Sequence, residues 1–210
     1  MIFKRIINTG FNDRIVRFVV AITFFIIAFF WVSGVLEFLF YLFGALILIT
    51  SFTGVCRIYK ILGISSCKKE KFPARKSKTY LIVILILAWI ILGSYLSIYF
   101  TDKIFLSDFE KFSSPYKQTL VYTEQNNHDK AVDYYGVFKL NFESFKSKYS
   151  KYRPFSIRYD NQFDRDIILI SSTIKSSDKT IDSSNLTIAN QQLKEIDFVL
   201  ADILKRNGLN

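Results

Sequence analysis

The first half of the chain contains three long apolar segments without a single charged residue. They are Phe18–Leu36, Phe38–Val55 and Thr79–Thr101, separated by one glutamate and by a basic loop. A hydrocarbon core about 30 Å thick requires roughly 20 apolar helical residues to cross it. Only helices or closed barrels satisfy their backbone groups there. The sequence therefore predicts three membrane-spanning helices and a separate polar domain.

Basic residues concentrate around these apolar segments. Residues 1–101 contain 12 lysines and arginines against three acidic residues, a net charge of +9, whereas residues 102–210 are nearly neutral. Positive charge in short loops favours the cytoplasmic side of a bacterial inner membrane. We therefore expect a cytoplasmic N-terminus and a periplasmic or extracellular C-terminal domain. Charge placed at helix ends also argues against a nucleic-acid partner.

The first two apolar segments are joined by a tight turn at Ser33–Gly34, and no signal-peptide cleavage site follows the first segment. We therefore expect a retained helical hairpin. The predicted organisation is a hairpin domain at 1–67, a basic cytoplasmic loop at 68–78, a third span at 79–101 and a helical bundle at 102–210.

Polar motifs flank the hairpin on both sides. Residues 12–17 read NDRIVR, and residues 53–67 read TGVCRIYKILGISSC. This pattern resembles the YgaP-like transmembrane domain family over residues 8–68, with Arg57 and Ser66 in place of the family's proline and threonine. The matching positions are Asn12, Arg14, Arg17, Gly54, Cys56, Tyr59, Leu62, Gly63 and Cys67.

The resemblance implies a small inner-membrane module of two helices. Some family members are fused to a rhodanese sulfurtransferase domain, which would imply sulfur-transfer chemistry. The remaining sequence contains no cysteine-bearing loop of that kind. We therefore expect the resemblance to indicate architecture rather than activity.

Cys56 and Cys67 are the only two cysteines, and their wide spacing differs from that of redox pairs and zinc motifs. Two interpretations remain open. Both cysteines could pack the helix end as small apolar residues, or nearby lysines could favour a reactive thiolate at a thiol-transfer site. We expect no metal, because structural zinc requires four ligands and only a dimer pooling both cysteine pairs could supply them.

The loop at Lys68–Lys78 carries six basic residues and one glutamate. Such a juxtamembrane cluster attracts anionic lipid headgroups by about 1 kcal/mol per charge. It also anchors the topology of the third span. We expect both roles on the same side of the bilayer.

The polar domain has a helical apolar period. Spacings of three and four residues predict three long amphipathic helices that bury their stripes against each other in an up-and-down bundle. Ser114-Pro115 predicts the start of a shorter helix that leads into the bundle. The stripes are Ala131, Tyr135, Phe138, Phe142, Phe145, Tyr149 and Tyr152; Phe163, Ile167, Ile170, Ile174 and Ile181; and Leu186, Ala189, Leu193, Ile196, Leu200 and Ile203.

Few residues in this domain could bind a cofactor. The chain has one histidine, His128, in a polar stretch that suits a helix start. Asp160, Asp164 and Asp166 lie where carboxylates favour a helix N-terminus, without the glycine and glutamate of a calcium loop. We expect no cofactor, no metal and no catalytic residue.

The aromatic stripe from Tyr135 to Tyr152 has two interpretations, a packed core or an aromatic ligand pocket. The sequence as a whole predicts a non-enzymatic inner-membrane protein that anchors a helical interaction or ligand-sensing domain outside the cytoplasm. Its expected partners are the bilayer and either another protein or a second copy. The alternative is an accessory in sulfur or thiol transfer through Cys56 and Cys67, acting with a separate rhodanese-like partner.

Overall fold

The computed structural model describes residues 8–56, 59, 61, 76–183 and 185–209. These residues form helices and no β-strand. The helices are α1 (Phe11–Trp31), α2 (Val35–Thr53), α3 (Lys76–Glu124), α4 (His128–Tyr149), α5 (Phe155–Arg158), α6 (Phe163–Asp182) and α7 (Leu186–Arg206). Helices α1 and α2, and α3 from Tyr80 onward, are long and apolar enough to cross a membrane. The predicted all-α fold with an N-terminal membrane hairpin and a third span is confirmed.

The α1–α2 hairpin closes through a short turn. α1 ends at Trp31 and α2 begins at Val35, and Gly34 between them has a φ of +68°, a left-handed conformation that glycine adopts readily. Phe24 packs against Phe40 with ring centroids 5.4 Å apart. Many large apolar side chains of the hairpin are exposed. This is expected of helices whose outer surface faces lipid, because lipid does not drive apolar side chains together.

Two tryptophans connect the first and third spans. The Trp89 indole N–H donates to Thr23 Oγ1 at 3.3 Å, and the Trp31 indole N–H donates to Ser97 Oγ at 3.0 Å. Hydrogen bonds between helices stabilise helix association in lipid, where no hydrophobic force drives it. The three spans therefore associate through polar contacts as well as van der Waals packing.

The described chain divides into two compact units, with the boundary between Ser97 and Ile98. α3 is one continuous helix across this boundary. The second unit is an up-and-down bundle of the C-terminal part of α3 with α4, α6 and α7, and the short helix α5 lies between α4 and α6. No loop separates the third span from the first helix of the bundle.

The predicted stripes form the core of this bundle, except that Tyr152 is only partly buried. Phe138, Phe142, Ile170 and Leu193 are fully buried, and the core cluster contains residues of all four long helical segments. α3 contributes a fourth row to the core, which is aromatic and was not predicted from the sequence. Its members are Phe105, Phe109, Phe112 and Tyr116.

The prediction of a separate short helix beginning at Pro115 is wrong, because Pro115 lies inside α3. Proline has no N–H to donate to the carbonyl four residues earlier. That carbonyl belongs to Lys111, and the Asn141 side chain of α4 donates to it at 2.9 Å. A tertiary contact therefore replaces the hydrogen bond that the proline removes, and the helix continues.

Candidate functional site

The base of the hairpin is a compact polar cluster in which the segment before α1 meets the segment after α2. The backbone N–H groups of Asn8 and Thr9 donate to the Gly54 carbonyl at 3.1 and 3.3 Å. The Asn8 side chain donates to the Cys56 carbonyl and accepts from the Cys56 N–H, both at 2.8 Å. A single asparagine thus satisfies both backbone groups of Cys56.

Position 54 requires a glycine, both for its backbone conformation and for the Arg14 side chain beside it. It has a φ of +67° and ends α2, donating its N–H to the Thr50 carbonyl at 3.1 Å. A Cβ atom at this position would lie 1.8 Å from Arg14 Nη2. The backbone of Arg14 is held in turn by Ser51, whose hydroxyl donates to the Arg14 carbonyl at 2.8 Å. Gly54 therefore makes room for the Arg14 side chain.

Arg17 connects the cysteine to the rest of the cluster. Its Nη1 lies 3.4 Å from Cys56 Sγ, and its Nε and Nη2 each lie 3.2 Å from one oxygen of Asp13. The Tyr59 ring lies 4.7 Å from the Arg17 guanidinium carbon, a cation–π distance. The guanidinium thus contacts a carboxylate, an aromatic face and a sulfur atom at once.

The chemistry open to Cys56 follows from two opposing features. A guanidinium that donates to sulfur stabilises the thiolate, which is the nucleophilic form. The residue is, however, only 2% exposed, so a reagent must displace part of the cluster to reach it. The arrangement fits a structural cysteine directly, and it fits a reactive one only after local opening.

The structure brings together four of the residues predicted from the family motif, namely Arg14, Arg17, Gly54 and Cys56, and places Tyr59 against Arg17. Asn12 lies exposed in the first turn of α1. Cys67, Leu62 and Gly63, the basic loop up to Arg75 and the side chains of residues 76–78 lie outside the described part of the chain.

Sequence reasoning missed Asn8, Thr9, Asp13 and Ser51 as members of this cluster. Their signal is weak, because each is a common polar residue near the end of an apolar segment. Thr9 Oγ1 and Arg14 Nε are buried and have no hydrogen-bond partner among the described residues. The described part of the chain also contains no cluster of three or more side chains that could bind a metal ion.

A second candidate site is a groove on the bundle between α3 and α7. The two helices run antiparallel, because the Tyr116 hydroxyl donates to the Leu193 carbonyl at 2.7 Å and the Asn190 side chain donates to the Leu120 carbonyl at 3.1 Å. The groove has a volume of about 790 Å³. Its lining is mainly apolar with two acidic and two basic side chains: Leu106, Phe109, Glu110, Ser113, Lys117, Asp197, Leu200, Ala201, Leu204 and Lys205.

Three predicted aspartates fall into ion pairs. Arg206 donates to Asp160 at 2.8 Å and to Asp166 at 2.6 Å, and Arg153 pairs with Asp164. Burial alone would raise the pKa of Asp160, but hydrogen bonds from Arg206, Asn207 and a backbone N–H outweigh it and lower this pKa below its ordinary value. These carboxylates therefore hold helix ends together.

The aromatic stripe of α4 is a packed core. Tyr135, Phe138, Phe142, Phe145 and Tyr149 are all buried. Burial and a neighbouring aspartate raise the pKa of both tyrosines. The two hydroxyls are nevertheless satisfied, by the Ile174 carbonyl at 2.5 Å and by Asp108 at 3.0 Å. All five side chains therefore pack in the core of the bundle.

Comparison with known proteins distinguishes the two units. Residues 5–70 match the model of a family described as inner membrane protein YgaP-like, transmembrane domain. The search of curated proteins found no match to this chain, and the search of solved structures found none either. The family match and the three apolar helices make the chain an inner-membrane protein that contacts the lipid bilayer.

Proposed function

We propose that the chain is a non-enzymatic inner-membrane protein that anchors a helical interaction domain outside the cytoplasm. The positive charge around the hairpin favours a cytoplasmic N-terminus, and three crossings then place the C-terminal bundle on the other side. The direct continuation of α3 from the third span into the bundle supports an anchoring role. A basic loop at Lys68–Lys78 that binds anionic lipid headgroups belongs to the same proposal.

The orientation is tested with a reporter enzyme that is active only in the periplasm. Fused after Asn210, it should be active, and inserted at Ala74, it should be silent. The reverse pattern would refute the orientation.

The observation that carries the interaction role is the α3–α7 groove, and its occupant is a second copy of this chain. The groove has an apolar floor and a charged pair at each end. Because α3 and α7 run antiparallel, Lys117 and Asp197 lie toward one end. Glu110 and Lys205 lie toward the other end. Two charges of each sign leave the rim neutral. Such a rim favours a partner that also carries both signs.

Two-fold symmetry makes this rim complementary to itself. An isologous dimer with its axis along the groove sets α3 of one copy against α7 of the other. Lys117 then lies opposite Asp197 of the second copy, and Glu110 lies opposite Lys205. The axis also keeps both α3 helices pointing in the same direction, as two copies in one membrane require.

The dimer is tested by charge reversal in the full chain, with the oligomeric state measured by light scattering in a mild detergent. E110K and K205E each create two like-charge pairs and should weaken dimerisation by about tenfold or more, whereas the double variant E110K/K205E should restore it. The matched control is E124K/K194E, which exchanges an exposed ion pair of 2.8 Å. A monomeric wild type, or single variants that dimerise normally, would refute the dimer.

A second candidate function is sulfur or thiol transfer through Cys56 and Cys67, and the contact between Arg17 and Cys56 favours it. The test is alkylation of single-cysteine variants in inverted membrane vesicles. The anchoring function predicts slow labelling of Cys56 until detergent opens the hairpin. Fast labelling of either cysteine, with persulfide recovered from it after thiosulfate feeding, would instead support the transfer function with a rhodanese-like partner.

A further inference from the structure

The face of α3 that follows the apolar run carries two adjacent depressions on the bundle. The first, of about 360 Å³, is lined by Phe100, Lys103, Ile104, Ser107, Asp108 and Lys111. The second, of about 240 Å³, is lined by Asp108, Lys111, Asn141, Ser144, Phe145 and Lys148. Since Asp108 and Lys111 belong to both, the depressions form one continuous surface, which we call the lysine surface.

The lysine surface carries excess positive charge. Lys111 Nζ lies 2.7 Å from one oxygen of Asp108, and Lys148 Nζ lies 2.5 Å from the other. Lys103 faces the Tyr99 ring at 5.9 Å from its centroid. Three lysines against one aspartate leave a net charge of +2 on the lining of the two depressions. One carboxylate therefore positions two ammonium groups without neutralising the surface.

The order of side chains along the helix matches a membrane boundary. Phe100 lies at the end of the apolar run that closes at Thr101, and it is half exposed, as is Ile104. At 1.5 Å per residue, Lys103 lies about 5 Å beyond Phe100 along the axis and Lys111 about 17 Å beyond it. Apolar side chains thus come first and ammonium groups follow, on one helical face.

We propose that the lysine surface binds the phosphate headgroup of an anionic phospholipid from the bilayer that the spans cross. Lys103, Lys111 and Lys148 contact the phosphate and headgroup, and Phe100 and Ile104 contact the first carbons of an acyl chain. The neutral, more distant α3–α7 groove lacks this sequence of apolar and then basic groups. The proposal requires α3 to span the membrane, but it requires neither the dimer nor a particular orientation.

The test uses the full chain in a mild non-ionic detergent and counts bound lipid by native mass spectrometry. Dioleoyl phosphatidylglycerol is titrated against the wild type, K103Q/K111Q/K148Q and the control K130Q/K175Q/K194Q, whose three lysines are exposed and line neither the lysine surface nor the α3–α7 groove. The control removes the same charge elsewhere on the bundle. At about fivefold per lysine, the first variant should bind phosphatidylglycerol roughly 100-fold more weakly, and the control should bind like the wild type. Thermal melting verifies that both variants fold.

Two further probes separate the ligand classes. Dioleoyl phosphatidylcholine, which has a phosphate but no net charge, should bind the wild type more weakly than phosphatidylglycerol. Inorganic phosphate at millimolar concentration should not displace phosphatidylglycerol, because it lacks the acyl contacts. Equal affinity of the two triple variants, or displacement of the lipid by phosphate alone, would refute a lipid site on this surface.

Discussion

The membrane hairpin and the helical bundle use the same apolar residue types in opposite ways. In α2, Phe43 is 52% exposed and Phe52 is 71% exposed, whereas Phe138 and Phe142 of α4 are fully buried. Water drives apolar side chains into the bundle core, but lipid exerts no such force on the hairpin. Specific structure in the hairpin therefore depends on the polar cluster at its base and on close helix contacts.

This difference accounts for where the recognisable sequence signal lies. At the base of the hairpin, particular residue types are needed, such as a left-handed glycine beside Arg14 and a guanidinium beside Cys56. In the bundle, any apolar residues of suitable volume and spacing would build a core. The hairpin base therefore has a recognisable sequence motif, whereas the bundle shows only a regular spacing of apolar residues.

The largest expected difference between the hairpin and the bundle comes from replacing one phenylalanine in each by alanine. Phe142→Ala leaves a cavity in the bundle core and should lower the free energy of unfolding by about 3–5 kcal/mol. Phe43→Ala removes a half-exposed side chain of α2 and should cost less than about 1 kcal/mol. Thermal melting of the full chain in detergent measures both, and equal losses would contradict the contrast.

The second test concerns glycine in the two regions. Gly54→Ala forces a side chain into a left-handed position against Arg14 and should cost about 1–3 kcal/mol. Gly136 lies inside α4 with nothing within 4 Å of an added Cβ. Gly136→Ala should therefore stabilise the chain by roughly 0.5–1 kcal/mol. Opposite signs in the two melting temperatures are expected, and a harmless Gly54→Ala would argue against the cluster as described.

The third test asks how far ion pairs, rather than apolar burial, hold the bundle together. The pKa of Asp160 is lowered in the folded state, so its contribution is present above the unfolded value of about 4 and is lost as pH falls through the folded value. Asp160→Asn should cost about 1–2 kcal/mol at neutral pH. It should also flatten the loss of stability as the pH falls below the unfolded value of about 4, and an unchanged acid profile would exclude Asp160 as a contributor.

The smallest effect concerns the proline inside α3. Asn141→Ala leaves the Lys111 carbonyl without the donor that replaces the missing proline N–H, and should cost about 0.5–1.5 kcal/mol. Asn161, exposed before α6, is the control, and its replacement by alanine should be nearly neutral. Pro115→Ala restores an N–H that can donate to the Lys111 carbonyl, so it should recover stability in the Asn141→Ala background. If it recovers none, Asn141 does not replace the hydrogen bond that the proline removes.

Much of the fold follows from local chemistry that can be read along the chain. The uncharged runs require membrane helices, Gly34 permits the hairpin turn, and the stripes at Tyr135 to Tyr149 and at Leu193 to Ile203 require burial. The motif residues Arg14, Arg17, Gly54 and Cys56 could be named from the sequence, and the structure places them in one cluster. Their mutual contacts were not predicted, because residues nearly 40 positions apart meet only when the hairpin closes.

The sequence by itself determined the three spans, the apolar stripes of α4, α6 and α7 and the polar motif, because these depend on spacing and on the solvent that each residue prefers. Tertiary structure alone decided three other features. It brings Asn141 to the Lys111 carbonyl and so keeps α3 continuous through Pro115. It sets Lys148 of α4 beside Asp108 of α3, and α7 against α3 to form the groove. Each of these contacts joins groups from different helices, and no local period specifies which helices become neighbours.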